Sequence, residues 1–313
     1  MHMADALISP AVGGAMLVAA TGMIGYSVSQ LKDGLDEKKI PLMGVMGAFV
    51  FSAQMINFTI PVTGSSGHIG GGILLAALLG PYAGFLVITS VLIIQALFFG
   101  DGGLLALGCN IVNMGFFTCF VAYPLIFKPI LKRGIHAKAI TLGTMLAVVI
   151  GLQLGAFGVV TETLASGKTE LPFMAFAALM QPIHLAIGLV EGMVVSTVLC
   201  FIYKFNPEIL ENALTGAKNG KISTKRVVVG LLLLALVAGG FLSWFASANP
   251  DGLEWAIMNV TGSPEIANQA GGSIASKTEI SASGMVGGLL TLGIAGLAGL
   301  GITKLKRKKK CRN

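Results

Sequence analysis

Three observations predict an all-α polytopic membrane protein. Hydrophobic residues make up 54% of the 313 residues and charged residues only 11%, against roughly 25% charged in a soluble domain. The mean hydropathy is +0.84. Glycine occurs 43 times, as suits helices that approach one another closely inside a bilayer. Such a chain cannot clothe itself in polar surface, so a soluble enzyme is excluded. The net charge of +7 does not point to nucleic acid, because the basic residues fall between apolar stretches rather than forming a binding face.

A spanning helix needs about 17–25 apolar residues. Runs of that kind occur at 7–28, 40–59, 82–99, 104–127, 138–160, 177–203, 227–247 and 284–303. The first is not expected to be a cleaved signal peptide, since no basic residue precedes it and the nearest follows at Lys32. A shorter run, 69–80, is cut by Gly80-Pro81. At about 1.5 Å per residue it covers about 18 Å, too little to cross a bilayer squarely unless protein surrounds it.

Charge decides how that segment is counted. Treated as one pass, with the N-terminus outside, it places all but Lys168 and Lys277 of the 21 Lys and Arg residues on the inner side. Merging it with the next run reverses everything downstream. The bias of basic residues toward the cytoplasm therefore predicts nine passes, with an external N-terminus and a cytoplasmic C-terminus. The expected organisation is a seven-pass domain at 1–205, whose third segment is short, then a cytoplasmic linker at 206–226. A two-pass module at 227–303 follows, built around an outer loop at 248–283, and a basic tail at 304–313 anchors the topology. Cys109, Cys119 and Cys200 lie in apolar stretches and Cys311 in the tail, so no disulfide framework is expected. Gly167-Lys168-Thr169 is no phosphate loop, because Glu162 stands where its first glycine is required.

The chemistry concentrates at the beginning of the chain, Met1-His2-Met3. An α-amine, the amide nitrogen of residue 2 and the imidazole of residue 2 can wrap one cation in two chelate rings. Three nitrogens in a plane suit metals that tolerate a deprotonated amide in tetragonal geometry, Ni²⁺ and Cu²⁺ first and Co²⁺ next. Mg²⁺ and Ca²⁺ prefer oxygen, and Zn²⁺ a tetrahedron. The fourth ligand is expected from His68, in the external loop that contains Gly64-Ser65-Ser66-Gly67-His68 and then Gly70, Gly71 and Gly72. A backbone so free of bulk can fold into the protein at membrane depth. Asp5 is expected to cap the first helix or hold a ligand imidazole. His184 and Glu191 share one face of an apolar helix, two turns apart. They are expected to pair with each other, to serve metal passage or coupling to partners, or to ligate the metal directly. Gln54, Asn57, Asn110, Asn113 and Gln181 are expected to bond between helices, and some of them to line the metal pocket.

MHMADALIS, PVTGSSGHIGGGILLAALLGP and QPIHLAIGLVEG together resemble the CbiM/NikM family, the substrate-capture subunits of energy-coupling-factor importers for cobalt and nickel. The resemblance covers roughly residues 1–205. Asn249-Pro-Asp-Gly-Leu-Glu-Trp-Ala256 resembles the PDGLE/NikN-type module that is sometimes fused to such subunits. Two departures stand out: the Ile-Pro after the family's His is Met3-Ala4 here, and the Gly after Asp5 is Ala6.

The resemblance implies a square-planar site made by the Met1 amine, the His2 amide and ring, and the His68 ring. It makes Asp5, Ser66, His184 and Glu191 candidates for supporting or coupling roles. It implies a non-enzymatic subunit in the cell membrane whose substrate is Ni²⁺ or Co²⁺. Its partners would be a transmembrane coupling subunit (CbiQ/NikQ-like) and two ATPase subunits (CbiO/NikO-like), with lipid around it and no nucleic acid. From the residues alone, a stand-alone secondary transporter or a metal-binding membrane sensor stays open. Cobalt and nickel are not separated.

Overall fold

The computed structural model describes residues 2–34, 39–216, 225–262 and 277–310. After a 3-10 turn at Asp5–Leu7, the chain forms α1 (Pro10–Gly34) and α2 (Ile40–Gln54). A small antiparallel hairpin follows, β1 (Phe58–Ile60) and β2 (Ser65–Gly67), with Thr59 opposite Ser66. Next come α3 (Gly72–Leu79) and α4 (Pro81–Ile94), the latter running on through one π turn at Gln95–Phe99. A span at Leu107–Lys132, here α5, winds in the wider π form over Val112–Phe127. The long antiparallel pair α6 (Ala137–Ser166) and α7 (Phe173–Phe205) completes the first block. Then come α8 (Pro207–Thr215), α9 (Lys225–Gly240), α10 (Gly252–Thr261) and α11 (Lys277–Lys310).

Six helices among the described residues are long and apolar enough to cross a membrane: α1, α4 with its π turn, α5, α6, α7 and α11. The expected run 40–59 is helical only to Gln54. Beyond it the chain leaves the helix before the polar Asn57, and the β-branched Thr59 and Ile60 enter the hairpin instead. At about 22 Å, α2 is shorter than a bilayer core, and every residue of it but Pro41 is buried. The helices of the C-terminal module supply much of that cover. A Cβ on Gly44 would stand 2.9 Å from the Leu292 carbonyl, and one on Gly239 would stand 3.0 Å from Ser52 Oγ.

The run 69–80 is a short helix preceded by extended chain. All eight residues of α3 are buried, and Gly84 lets α4 fold back on it at backbone distance. The stretch read as a linker contains α8, whose Ile209, Leu210, Ala213 and Leu214 are buried. Tyr123 Oη donates to the Ala213 carbonyl, 3.4 Å away. The outer loop likewise contains α10, opened by a capping box in which Asp251 accepts from Leu253 and Glu254 while Glu254 accepts from Asp251.

The contacts gather residues 2–5, 65–68, 101–106 and 249–252 at one end of the bundle. The α5–α6 turn and the end of α7 lie at the other, where Tyr203 Oη donates to the Ile135 carbonyl.

Candidate metal site

The segment before α1 is held by its backbone. Met3 N–H donates to Asn110 Oδ1 at 2.8 Å, and the Met3 carbonyl accepts from Asn110 Nδ2 at 3.2 Å and from Gly103 N–H at 2.9 Å. The Met3 side chain is fully buried, with Asn113 Nδ2 3.8 Å from its sulfur. Asp5 fills neither expected role. Its Oδ1 accepts from Leu105 N–H at 2.8 Å and Ala106 N–H at 3.0 Å, so it caps the turn leading into α5 and does not bond to either site imidazole. A carboxylate answers orphan N–H groups wherever a helix start reaches it, and the nearest start belongs to another part of the chain.

His2 and His68, far apart in sequence, stack with ring centroids 5.0 Å apart and planes 20° from parallel. Both are buried, at 8% and 9% exposure. Burial in a low-dielectric setting pushes both imidazoles down to about 3, which keeps them neutral and their lone pairs available. His2 Nδ1 lies 3.2 Å from Asp101 Oδ1, and His2 Nε2 meets no hydrogen-bond partner among the described residues. A chelate that includes residue 2's own amide must use Nδ1, since Nε2 points away from the main chain. Asp101 therefore sits on the nitrogen such a chelate needs. His68 Nδ1 lies 3.2 Å from the Ile69 carbonyl. Met1, the source of the expected amine ligand, lies outside the described residues. Among those residues, no three His, Cys, Asp or Glu side chains converge as a metal cage.

The loop carrying His68 runs deep along α7. A Cβ on Gly67 would stand 2.6 Å from Ile187 Cγ1, and one on Gly71 would stand 2.7 Å from Val50, where φ of +78° also favours glycine. Glu191 Oε1 accepts from Gly71 N–H at 2.9 Å, and Gln54 Nε2 donates to the Gly70 carbonyl at 2.8 Å. Glu191 lies about 27 Å along α7 from its first residue, so protein groups here do for non-helical backbone what water cannot. Glu191 and His184 share a face but do not pair with each other. Glu191 serves Gly71, and His184 Nδ1 lies 2.8 Å from the Met180 carbonyl of its own helix.

Ser66 is tied to the C-terminal module. Its N–H donates to the Pro250 carbonyl and its Oγ to the Asn249 carbonyl, each at 2.8 Å, and it bridges Asp251 in parallel β fashion. Trp255 Nε1 donates to the Thr63 carbonyl at 2.8 Å, and Ser247 N–H to the Asn57 carbonyl at 2.7 Å. Gly252 packs against His184 and Ile187. The segment 247–255 thus lies over the hairpin that leads into His68.

Of the amides expected to bond between helices, Gln54 accepts from Gln95 and Gln181 exchanges bonds with Gln153. Asn113 donates to Glu162 at 2.6 Å. Sequence reasoning gave no structural or functional role to Asp101, Gly103 or Glu162. Asp101-Gly-Gly103 between two spans was a usable signal, because adjacent glycines invite another backbone to approach, and Gly102 does lie near His2.

The comparisons agree with this architecture. Residues 2–209 match the model of CbiM, the cobalt uptake substrate-specific transmembrane region, and residues 225–281 match the PDGLE domain. The chain is 34% identical over 243 residues to a protein of Archaeoglobus fulgidus that carries the name of a fused nickel transport protein, NikMN, covering 76% of each chain. It is 33% identical over 228 residues to the fused nickel transport protein NikMN of Rhodobacter capsulatus, covering 67% of this chain and 64% of that one. A crystal structure of a transition metal transporter aligns at a TM-score of 0.57 and 30% identity, covering 68% of this chain and 98% of the other. This multi-pass membrane chain belongs to the CbiM family and carries a PDGLE domain behind its family region.

Proposed function

We propose that the chain captures Ni²⁺ or Co²⁺ for import, as the substrate-binding subunit of an ATP-driven transporter of the energy-coupling-factor type. The observation that carries this reading is the His2–His68 stack, two buried neutral imidazoles brought together across the fold. In the proposed site the Met1 amine, the His2 amide and ring nitrogen, and the His68 ring surround the cation in a plane. His2 Nδ1 exchanges Asp101 for the metal, and the displaced carboxylate stays close enough to offset its charge. Nitrogen donors in tetragonal geometry select Ni²⁺ or Co²⁺ over the oxygen-seeking Mg²⁺ and Ca²⁺.

The distribution of basic residues supports an external N-terminus and a cytoplasmic C-terminus in the cell membrane. The 247–255 segment then acts as an outer cover, holding the His68 loop through Ser66 and Thr63. The chain itself does not hydrolyse ATP. That step belongs to two ATPase subunits, linked through a transmembrane coupling subunit. On α1, Ala11, Gly14 and Ala15 are exposed, which supplies a face of small residues for that subunit.

The test is Ni²⁺ and Co²⁺ titration of the purified protein beside three variants: one extra residue before Met1, His2→Ala and His68→Ala. All three are expected to lose tight binding. An extended protein that binds as tightly as the original refutes the amine chelate.

A further inference from the structure

The capture site leaves two buried acceptors beside it without a task. His184 is 1% exposed. The Met180 carbonyl beside Nδ1 can only accept, so Nδ1 carries the proton and Nε2 presents a bare lone pair, with no partner among the described residues. Asn113 is also 1% exposed. Its Nδ2 is committed to Glu162, and its Oδ1 has no partner among the described residues. Buried acceptors of this kind are rare and call for a cause. Both side chains line one cavity of about 20 Å³, whose wall also includes His68, Asp251 and Glu191. The cavity has room for about one water molecule or one small cation.

We propose that this cavity is a second, weaker cation station, in which His184 Nε2 and Asn113 Oδ1 receive a first-row dication passed on from His68. The Glu191 carboxylate stands at its deeper end. An imidazole nitrogen and an amide oxygen are acceptable donors for Ni²⁺ and Co²⁺. Two neutral protein ligands hold an ion loosely, as a transit point must if the ion is to leave again. The proposal rests on the import reading above, because it takes its ion from that site.

Purified full-length protein is titrated with Ni²⁺ alone, beside His184→Leu, Asn113→Leu and His2→Ala. The unmodified protein is expected to take one tight equivalent and then a second at least tenfold weaker. His184→Leu and Asn113→Leu keep the first and lose the second, whereas His2→Ala loses the first and keeps the second. Should His2→Ala retain the first, the capture reading fails while the second station stands or falls on His184. The proposal is overturned if the unmodified protein stops at one equivalent at millimolar Ni²⁺, or if His184→Leu still takes two. The chain has only four histidines, so ¹⁵N-histidine labelling of the unmodified protein gives a readout that needs no variant. The His184 Nε2 signal must move with the second equivalent; an unmoved signal means that the cavity holds only water.

Discussion

Asn110→Leu is the substitution that best separates fold from site. Asn110 lies on α5, has the branched shape of leucine in a smaller volume, and is 2% exposed. Its side chain makes two bonds to the Met3 main chain and none to either imidazole. Replacement leaves the Met3 N–H buried and unmet, while the Met3 carbonyl keeps Gly103. An orphaned buried donor costs about 1–3 kcal/mol. The N-terminal segment relieves that cost by coming away from α5, and metal binding must then draw it back. At about 1.4 kcal/mol per decade, Ni²⁺ binding should weaken about 5- to 150-fold. Competition against a chromophoric chelator reads this, with the thermal midpoint as control for the bundle, which the segment does not hold together. A Kd within twofold of the parent at an unchanged midpoint would refute the reasoning, and residues 1–2 would then be placed by something other than Asn110.

The two stacked imidazoles should stay neutral well below the usual histidine range. Their depressed values, about 3 against 6.5 unfolded, mean that the closed loop gains its full benefit above pH 6.5 and loses it progressively as the pH falls from there toward 3. Imidazole ¹⁵N shifts at pH 5 should report uncharged rings; a midpoint near 6.5 contradicts the burial argument. Trp255→Phe removes the bond to Thr63 but keeps most of the packing, so hydrogen exchange in the hairpin should rise about 2- to 10-fold, for a loss of about 0.5–1.5 kcal/mol; unchanged exchange would show that the cover does not hold the loop. Gly284→Leu puts a side chain where a Cβ would already stand 2.5 Å from the Gly239 carbonyl. It should lower the thermal midpoint by several degrees, whereas Gly293→Ala, which meets nothing within 4 Å, should leave it level or raise it.

Hydropathy made the long spans legible, because each needs only its own residues. The pairing of His2 with a glycine-bounded His68 was legible as chemistry: few other residues in so apolar a chain offer a nitrogen donor to a borderline dication. Contacts between distant segments were not. Nothing local assigns Asp5 to Leu105 and Ala106, or Ser66 to Pro250. The hairpin was invisible because Ser65-Ser66-Gly67 has no apolar alternation, and its partner strand is three residues long. Helix α8 hid inside a polar-looking stretch, since its apolar positions number only a few and face the bundle.

The burial of α2 bears on how the protein is made. This helix is too short to be at ease among lipid tails, and its sheath includes Gly239, Leu292 and Ala295, all translated long after it. At about 5–20 residues per second, a ribosome needs about 10–50 s to get from Gln54 to Leu292. For that interval the glycine groove of α2 lacks the C-terminal part of its cover, which is completed only when the final helix meets a neighbour made near the start of synthesis.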